Sequence, residues 1–180
     1  LTIIETIEIN KNKTTENQRF PVQKIIRPNS SEYHDYRGYA GRVAGGTFRP
    51  GDKVTVLPSM LRSKIKSIDV MGKSLAETIA GDSVAISLED QIDISRGDML
   101  VSPNDLPVIS QDINLMICWV NETPLKPGGK YLARLNTNEV GCIIKTVNYR
   151  MNINTLERDF ENIAINMNDI ANISIKTSKP

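Results

Sequence analysis

The sequence predicts an all-β protein made of two consecutive small β units. Short apolar stretches recur at intervals of roughly 8–15 residues, separated by Gly, Pro and Asp, and none is long enough for an ordinary helix. Ile and Val together number 34 residues against 20 Leu and Ala, and β-branched side chains favour pleated sheets. A Pro-rich stretch at 102–107 resembles a linker and divides the chain near residue 108.

The first unit, residues 19–108, is predicted to form a small barrel. The segments 53–57 and 63–69 alternate polar and apolar residues, as half-buried strands do. Four glycines between 38 and 46 lie in one long predicted strand, where glycine marks a bulge or bend of the kind that closes a barrel. The predicted strands are 21–26, 39–48, 53–57, 63–69, 83–88 and 99–101.

Three turns of the first unit share a Gly-Asp pair. Arg49-Pro50-Gly51-Asp52 predicts a type II turn, because Pro fixes φ and Gly accepts a positive φ. Gly-Asp recurs at 81–82 and 97–98, each time directly before an apolar run. We interpret these pairs as strand-entry turns capped by the Asp side chain.

The second unit, residues 109–180, shows a new β pattern. The prolines and glycines of 124–129 predict a loop, and 155–160 is predicted to form a short turn of helix. Cys118 and Cys142 lie in apolar runs without a secretory signal, which predicts two buried free thiols in a cytoplasmic protein. The predicted strands are 112–120, 130–135, 140–150 and 170–176.

Charge and hydropathy exclude several classes of protein. The net charge is +1, and no apolar run has the roughly 18–20 residues of a membrane helix. Residues 19–73 carry 11 basic against 4 acidic side chains, but 74–108 carry 1 against 7. We interpret Lys64 and Lys66 as one solvated strand face, which disfavours nucleic acid as a partner. His34 is the single histidine, so a His-rich metal site is excluded.

No catalytic, cofactor-binding or metal-binding residue is assigned from the sequence. Gly72-Lys73-Ser74 resembles the end of a phosphate-binding loop, but Ser67 occupies the position of its first glycine, so the segment is interpreted as a turn. The guanine-reading Asn-Lys-x-Asp motif does not occur. The carboxylates of Glu89, Asp90 and Asp93 are interpreted as a solvated turn rather than a general acid–base pair.

Several short motifs of the first unit together resemble one protein family. They are Phe-Pro-Val-Gln (20–23), Arg-Pro-Asn (27–29), Arg-Gly-Tyr-Ala-Gly (37–41), Val-Leu-Pro-Ser (56–59) and Asp-Ile-Ser-Arg-Gly-Asp (93–98). They resemble the GTPase subunit of bacterial sulfate adenylyltransferase and, more distantly, the barrel that follows the G domain in translational GTPases of the elongation factor Tu type. In the second unit, Cys-Trp-Val (118–120) and Pro-Gly-Gly-Lys-Tyr (127–131) resemble the third domain of that subunit.

The resemblance implies two barrels of the elongation-factor domain II and III type, at 19–108 and 109–180. Residues 1–18 would then be the end of a G domain or the linker after it. The chain lacks an initiator Met, so we expect it to be a piece of a longer protein. The closing strand pair of the family is missing after Pro180, so the second barrel is expected to be truncated.

The resemblance also implies a function. In the family, an adenylyl-transferring subunit makes adenosine 5′-phosphosulfate and pyrophosphate from ATP and sulfate, and GTP hydrolysis in the G domain drives the reaction. GTP and magnesium are therefore expected in the missing G domain, and this chain is expected to act in the enzyme only as a part. The alternatives are a translation-factor fragment that contacts ribosome or tRNA, and a free-standing binding module. Candidate contacts with the G domain or the partner subunit are Arg37, Gly38, Tyr39, Gly41, Arg96 and Asp98.

Overall fold

The computed structural model describes residues 17–27, 36–161 and 163–180. Most of the expected G-domain remnant at 1–18, two residues of the 27–29 motif and His34 lie outside these ranges. The described residues contain strands and turns but no helix, which confirms the all-β prediction. In particular, no helix capable of crossing a membrane occurs in this part of the chain.

The chain divides into two compact units, which we describe separately. The first ends at Pro107 and also includes Asn136–Asn138, and the second comprises Val108–Leu135 and Glu139–Pro180. The strands up to Pro107 are β1 (Arg19–Ile26), β2 (Gly38–Arg42), β3 (Thr47–Phe48), β4 (Lys53–Leu57), β5 (Leu61–Val70), β6 (Lys73–Ser74), β7 (Thr78–Ile79), β8 (Ser83–Leu88) and β9 (Met99–Val101). The remaining strands are β10 (Asp112–Cys118), β11 (Lys130–Leu135), β12 (Asn138–Met151), β13 (Arg158–Asp159) and β14 (Ile170–Thr177).

The first unit is a closed barrel. Its sheet has the order β4-β9-β1-β2-β8-β5-β6, and an additional pairing of β4 with β5 closes the ring. Closure leaves no free edge among the six strands of the ring, and it encloses the inward-facing side chains. The largest of these are at most 1% exposed: Tyr39, Phe20, Phe48, Ile65, Ile68, Ile86, Ile94 and Leu100.

The prediction of one strand over 39–48 is wrong. β2 ends at Arg42, and β3 begins at Thr47 and pairs with β7 instead. Gly46 between them has φ +72°, and a Cβ there would lie 2.7 Å from the Gln18 Cα. The chain therefore bends sharply at a position that only glycine fits.

Among the residues that the structure describes, one turn geometry occurs four times, in both units. The carboxylate of an Asp accepts the backbone N–H of the residue three positions earlier, at N···O distances of 2.8–2.9 Å. The Asp backbone N–H donates to the carbonyl of that same residue at 3.0–3.2 Å. The residue before each Asp has a positive φ and is glycine in three cases and Asn168 in the fourth. This confirms the predicted strand-entry turns, here called Asp-capped turns, which contain Asp52, Asp82, Asp98 and Asp169.

The second unit is a sheet of the order β10-β14-β12-β11, with β13 paired to β12. One face of this sheet packs over a small core, and β10 and β11 lie at the two ends of the order. The buried residues of the core are Leu125, Cys142, Ile144, Val147, Ile165, Ala171, Ile173 and Ile175.

Two predictions for the second unit are wrong. The segment 155–160 forms no helix, because Leu156 has φ +60° and Arg158–Asp159 folds back as β13 against the end of β12. Cys118 is exposed rather than buried, since it lies on the outer face of β10, whereas Cys142 is buried. Both cysteines are free thiols, as predicted.

Candidate functional site

The six candidate contact residues lie on or beside one segment of the first unit. This segment, residues 92–98, is the later part of the chain that joins β8 to β9, and we call it the 92–98 connection. Arg96 and Asp98 belong to it. The other candidates, Arg37 and the β2 residues Gly38, Tyr39 and Gly41, lie in or just before the strand that pairs with β8.

Tyr39 anchors the start of the connection. Its ring is buried, at 1% exposure, and its hydroxyl donates to the Ile92 carbonyl at 2.9 Å. Burial raises the pKa of the Tyr39 phenol, although the cations Arg37 and Arg27 lower it in part. The hydroxyl therefore remains protonated, and able to donate, throughout the physiological pH range.

Arg37 and Asp93 form an ion pair above Tyr39. Arg37 Nη2 lies 3.2 Å from Asp93 Oδ1, and the guanidinium lies 5.6 Å from the centre of the Tyr39 ring. The Asp93 side chain is 95% exposed, so the pair contributes little to stability. Arg37 Nε is buried without a hydrogen-bond partner among the described residues. The Asp93 carboxylate is thus accessible to solvent, and the Arg37 guanidinium that it pairs with is held in place by its tertiary contacts.

The far end of the connection is bound to β1. Val22 N–H donates to the Asp98 carbonyl at 2.8 Å, and Gly97 N–H donates to the Val22 carbonyl at 3.1 Å. The Arg96 guanidinium donates to the Gln23 carbonyl at 3.3 Å. The connection is therefore held at both ends, with the Arg96 side chain on the surface.

The glycines of β2 make close approaches to their neighbours. Gly41 pairs with Val22 of β1, and a Cβ at Gly41 would press against the Pro21 carbonyl oxygen and lie 3.0 Å from the Phe20 ring. A Cβ at Gly38 would lie 2.8 Å from the Tyr36 ring. These glycines shape the barrel wall beneath the connection rather than presenting a group to a partner.

The outward-facing groups of the site are Asp93 and Arg96. Gly38, Tyr39 and Gly41 are buried, and the Asp98 carboxylate already accepts a hydrogen bond from the Ser95 N–H at 2.8 Å. Sequence reasoning placed Asp93 in a solvated turn and missed its position at the site. The signal for it was its place at the start of the Asp-Ile-Ser-Arg-Gly-Asp motif, three residues before Arg96.

Two observations on the described residues concern metal and phosphate groups. No group of three His, Cys, Asp or Glu side chains suited to a metal ion occurs within residues 17–27, 36–161 and 163–180. Gly72 lies in the turn of the β5–β6 hairpin with φ +80°, and Lys73 and Ser74 form β6, where Lys73 pairs with Val70. The predicted turn is therefore observed at Gly72, whereas the next two residues belong to a strand.

Curated proteins resemble this chain along its whole length. It is 37% identical over 181 residues to the bifunctional enzyme CysN/CysC of Mycobacterium tuberculosis (strain CDC 1551 / Oshkosh), covering 100% of this chain and 30% of that protein. It is 38% identical over 189 residues to sulfate adenylyltransferase subunit 1 of Sulfurovum sp. (strain NBC37-1), covering 100% of this chain and 38% of that protein. The chain thus spans less than two fifths of the length of these relatives.

A family model and solved structures agree on the fold. The model described as GTP-eEF1A C-terminal domain-like matches residues 112–180. Sup35 complexed with GDP has a TM-score of 0.79 at 13% identity, covering 93% of this chain and 40% of that one. Apo elongation factor SelB of Methanococcus maripaludis has a TM-score of 0.73 at 21% identity, covering 99% of this chain and 39% of that one. The predicted resemblance is therefore confirmed, and the chain is homologous along its whole length to one segment of sulfate adenylyltransferase subunit 1.

Proposed function

We propose that this chain is the barrel segment of the GTP-dependent regulatory subunit of a cytoplasmic sulfate adenylyltransferase. The enzyme makes adenosine 5′-phosphosulfate and pyrophosphate from ATP and sulfate. The observation that carries the proposal is the 35–38% identity to sulfate adenylyltransferase subunit 1, which extends over the whole chain rather than over one motif. The chain takes part in the reaction only as a component of the subunit. GTP and magnesium belong to the G domain.

Within the subunit, the barrels transmit the nucleotide-dependent change of the G domain to the adenylyl-transferring subunit. A rigid element suits this role, because such transitions proceed by movement of rigid bodies about their interfaces. The ring closure of the first barrel and the two anchors of the 92–98 connection supply this rigidity.

The 92–98 connection is the proposed contact with the G domain or the partner subunit. Arg96 and the Arg37–Asp93 pair provide accessible charges that pair with charged groups of the other surface. Gly38, Tyr39, Gly41 and Asp98 hold these charges in position through the buried contacts described above.

A chimeric subunit tests the proposal. The segment of Sulfurovum sulfate adenylyltransferase subunit 1 that matches this chain is replaced by this chain, and the chimera is combined with its adenylyl-transferring partner. We expect sulfate-dependent pyrophosphate release that GTP stimulates. Arg96→Glu should reduce the stimulated rate, whereas Lys73→Glu, the same charge change on β6, should preserve it.

A folded chimera without any sulfate-dependent reaction would contradict the proposal. The likeness to Sup35 and SelB concerns the fold alone, and the translation-factor alternative has its own test. Cosedimentation of the purified chain with ribosomes at physiological salt would favour that alternative, and we expect the chain to remain in the supernatant.

A further inference from the structure

Four cations line the outer surface of the strand pair that closes the first barrel. Lys53 lies on β4, and Arg62, Lys64 and Lys66 alternate along β5, all of them exposed. Lys53, Arg62 and Lys64 line one shallow cleft of about 260 Å³, and Lys66 lines an adjoining cleft of about 290 Å³. We call these four residues the basic strip.

The charge of the basic strip is poorly compensated within the barrel. Lys53 and Lys64 are directly opposite each other across the β4–β5 ladder, and like charges in that position are destabilising. In the described part of the chain, the strip forms one ion pair, between Lys64 Nζ and Glu89 Oε2 at 4.0 Å. Both side chains of that pair are about half exposed, so the pair is weak. An anion bound over the strip would relieve the repulsion.

Two carboxylates lie at one side of the strip, between the two clefts. Glu89 and Asp90 line both of them. The Glu89 backbone N–H donates to the Lys64 carbonyl at 2.9 Å, and the Asp90 carboxylate accepts the Ser63 hydroxyl at 2.8 Å. These contacts fix hydrogen-bond acceptors beside a row of cations, so the surface suits a ligand that carries both carboxylates and N–H donors.

We propose that the basic strip binds an acidic polypeptide segment in an extended conformation. Alternate side chains of a strand are spaced by about 6.5 Å, so Arg62 and Lys64 match the alternate carboxylates of an extended acidic chain lying along β5. The backbone N–H groups of such a chain are available to Glu89 and Asp90. This proposal does not depend on the proposed function.

Nucleic acid fits the same surface less well. Surfaces that bind single strands combine cations with aromatic side chains on which bases stack. The cleft that holds Lys53, Arg62 and Lys64 is lined by no aromatic residue of the described chain. The adjoining cleft of Lys66 is lined by two tyrosines, but Tyr39 is buried and the Tyr36 hydroxyl donates to Asp69. Glu89 and Asp90 would also repel the phosphates of a nucleic acid, whose sugar–phosphate backbone, unlike that of a peptide, has no N–H group to donate.

A labelled peptide of five Glu-Ser repeats tests the proposal by fluorescence anisotropy with the full chain. We expect saturable binding at about 50 mM salt that weakens at least about tenfold at 0.5 M salt, because the contacts are exposed. Lys64→Glu and Arg62→Glu should each weaken binding by about tenfold, because each change replaces an attraction by a repulsion of the acidic peptide. The matched control is Lys24→Glu on β1, which β9 separates from β4 in the ring, and it should change the affinity less than about twofold.

Circular dichroism of each variant verifies that it is folded. Equal affinity for a peptide with Gln in place of Glu would overturn the proposal, because charge would then not determine binding. An equal effect of Lys24→Glu and Lys64→Glu would also overturn the proposal, because the peptide would then not bind specifically at the basic strip. Tighter binding of a 20-residue oligo-dT than of the peptide would show that the strip serves nucleic acid instead.

Discussion

Replacement of Gly41 by Ala tests how closely β1 and β2 pack beneath the 92–98 connection. Gly41 is buried and pairs with Val22. The new methyl group would meet the Pro21 carbonyl oxygen and the fully buried Phe20 ring. Neither neighbour can withdraw easily, because the carbonyl belongs to a strand held on both sides and the ring belongs to the core.

The expected cost follows from overpacking of a close-packed site. Forced shifts of backbone and core side chains cost roughly 1–3 kcal/mol, and a carbonyl contact this close places Gly41→Ala at or above the upper end. For a unit of this size, each 1 kcal/mol lowers the melting temperature by about 4–8 °C. A fall of at least about 10 °C is therefore expected.

Differential scanning calorimetry of the full chain measures this fall. The matched control is Gly141→Ala in β12, also a strand glycine without a positive φ, whose added Cβ would lie 3.7 Å from the Ser178 hydroxyl. That distance is an ordinary contact, so the control should melt within about 3 °C of the parent chain. Equal melting temperatures for the two variants would refute the close approach of Gly41 to Pro21.

Three further predictions concern other parts of the chain. Gly51→Val should destabilise the first unit by about 1–2 kcal/mol, since φ is +90° there and nothing lies within 4 Å of the added Cβ; unchanged urea unfolding would contradict this backbone origin. The hydrogen bond and charge of Lys145 lower the pKa of Asp112, so this pair stabilises the fold above the unfolded pKa of Asp112, and its contribution disappears as the pH falls through the lowered value. Lys145→Met should therefore raise the pKa of Asp112 in an NMR titration, and an unmoved pKa would exclude the pair in solution. Cys118 should react rapidly with a thiol reagent and Cys142 slowly, because Cys142 is 6% exposed and burial raises its pKa; equal rates would contradict the burial.

The sequence predicts strands best where alternation and turn chemistry agree. The bounds of 53–57, 83–88, 99–101 and 130–135 are those observed, and each of the first three strands directly follows an Asp-capped turn. The predictions failed where the backbone conformation, rather than the pattern of side chains, determines the local structure. Glycines between 42 and 47 allowed the chain to bend out of the sheet, and the left-handed conformation of Leu156 replaced a helical turn by a hairpin.

The candidate site was only partly accessible to sequence reasoning. Short motifs identified Arg37–Gly41 and Arg96–Asp98 as segments of interest, and the structure brings them together around one connection. The pairing of Lys53 with Lys64 depends on the register of β4 and β5, which is a tertiary property. In sequence, ten residues separate these two cations, and neither the turn nor the alternation shows that they are directly opposite.

The ring closure of the first unit prevents its strands from separating one at a time. Each ring strand has hydrogen-bonded neighbours on both sides, so separating any one of them breaks two ladders at once. Amide protons on β1, β2 and β8 should then exchange with solvent only through opening of the whole barrel, at nearly one common rate. In the second unit, β10 and β11 each lie at an end of the sheet and can fray singly. Exchange there should be graded, fastest at these two strands and slowest at β12 and β14.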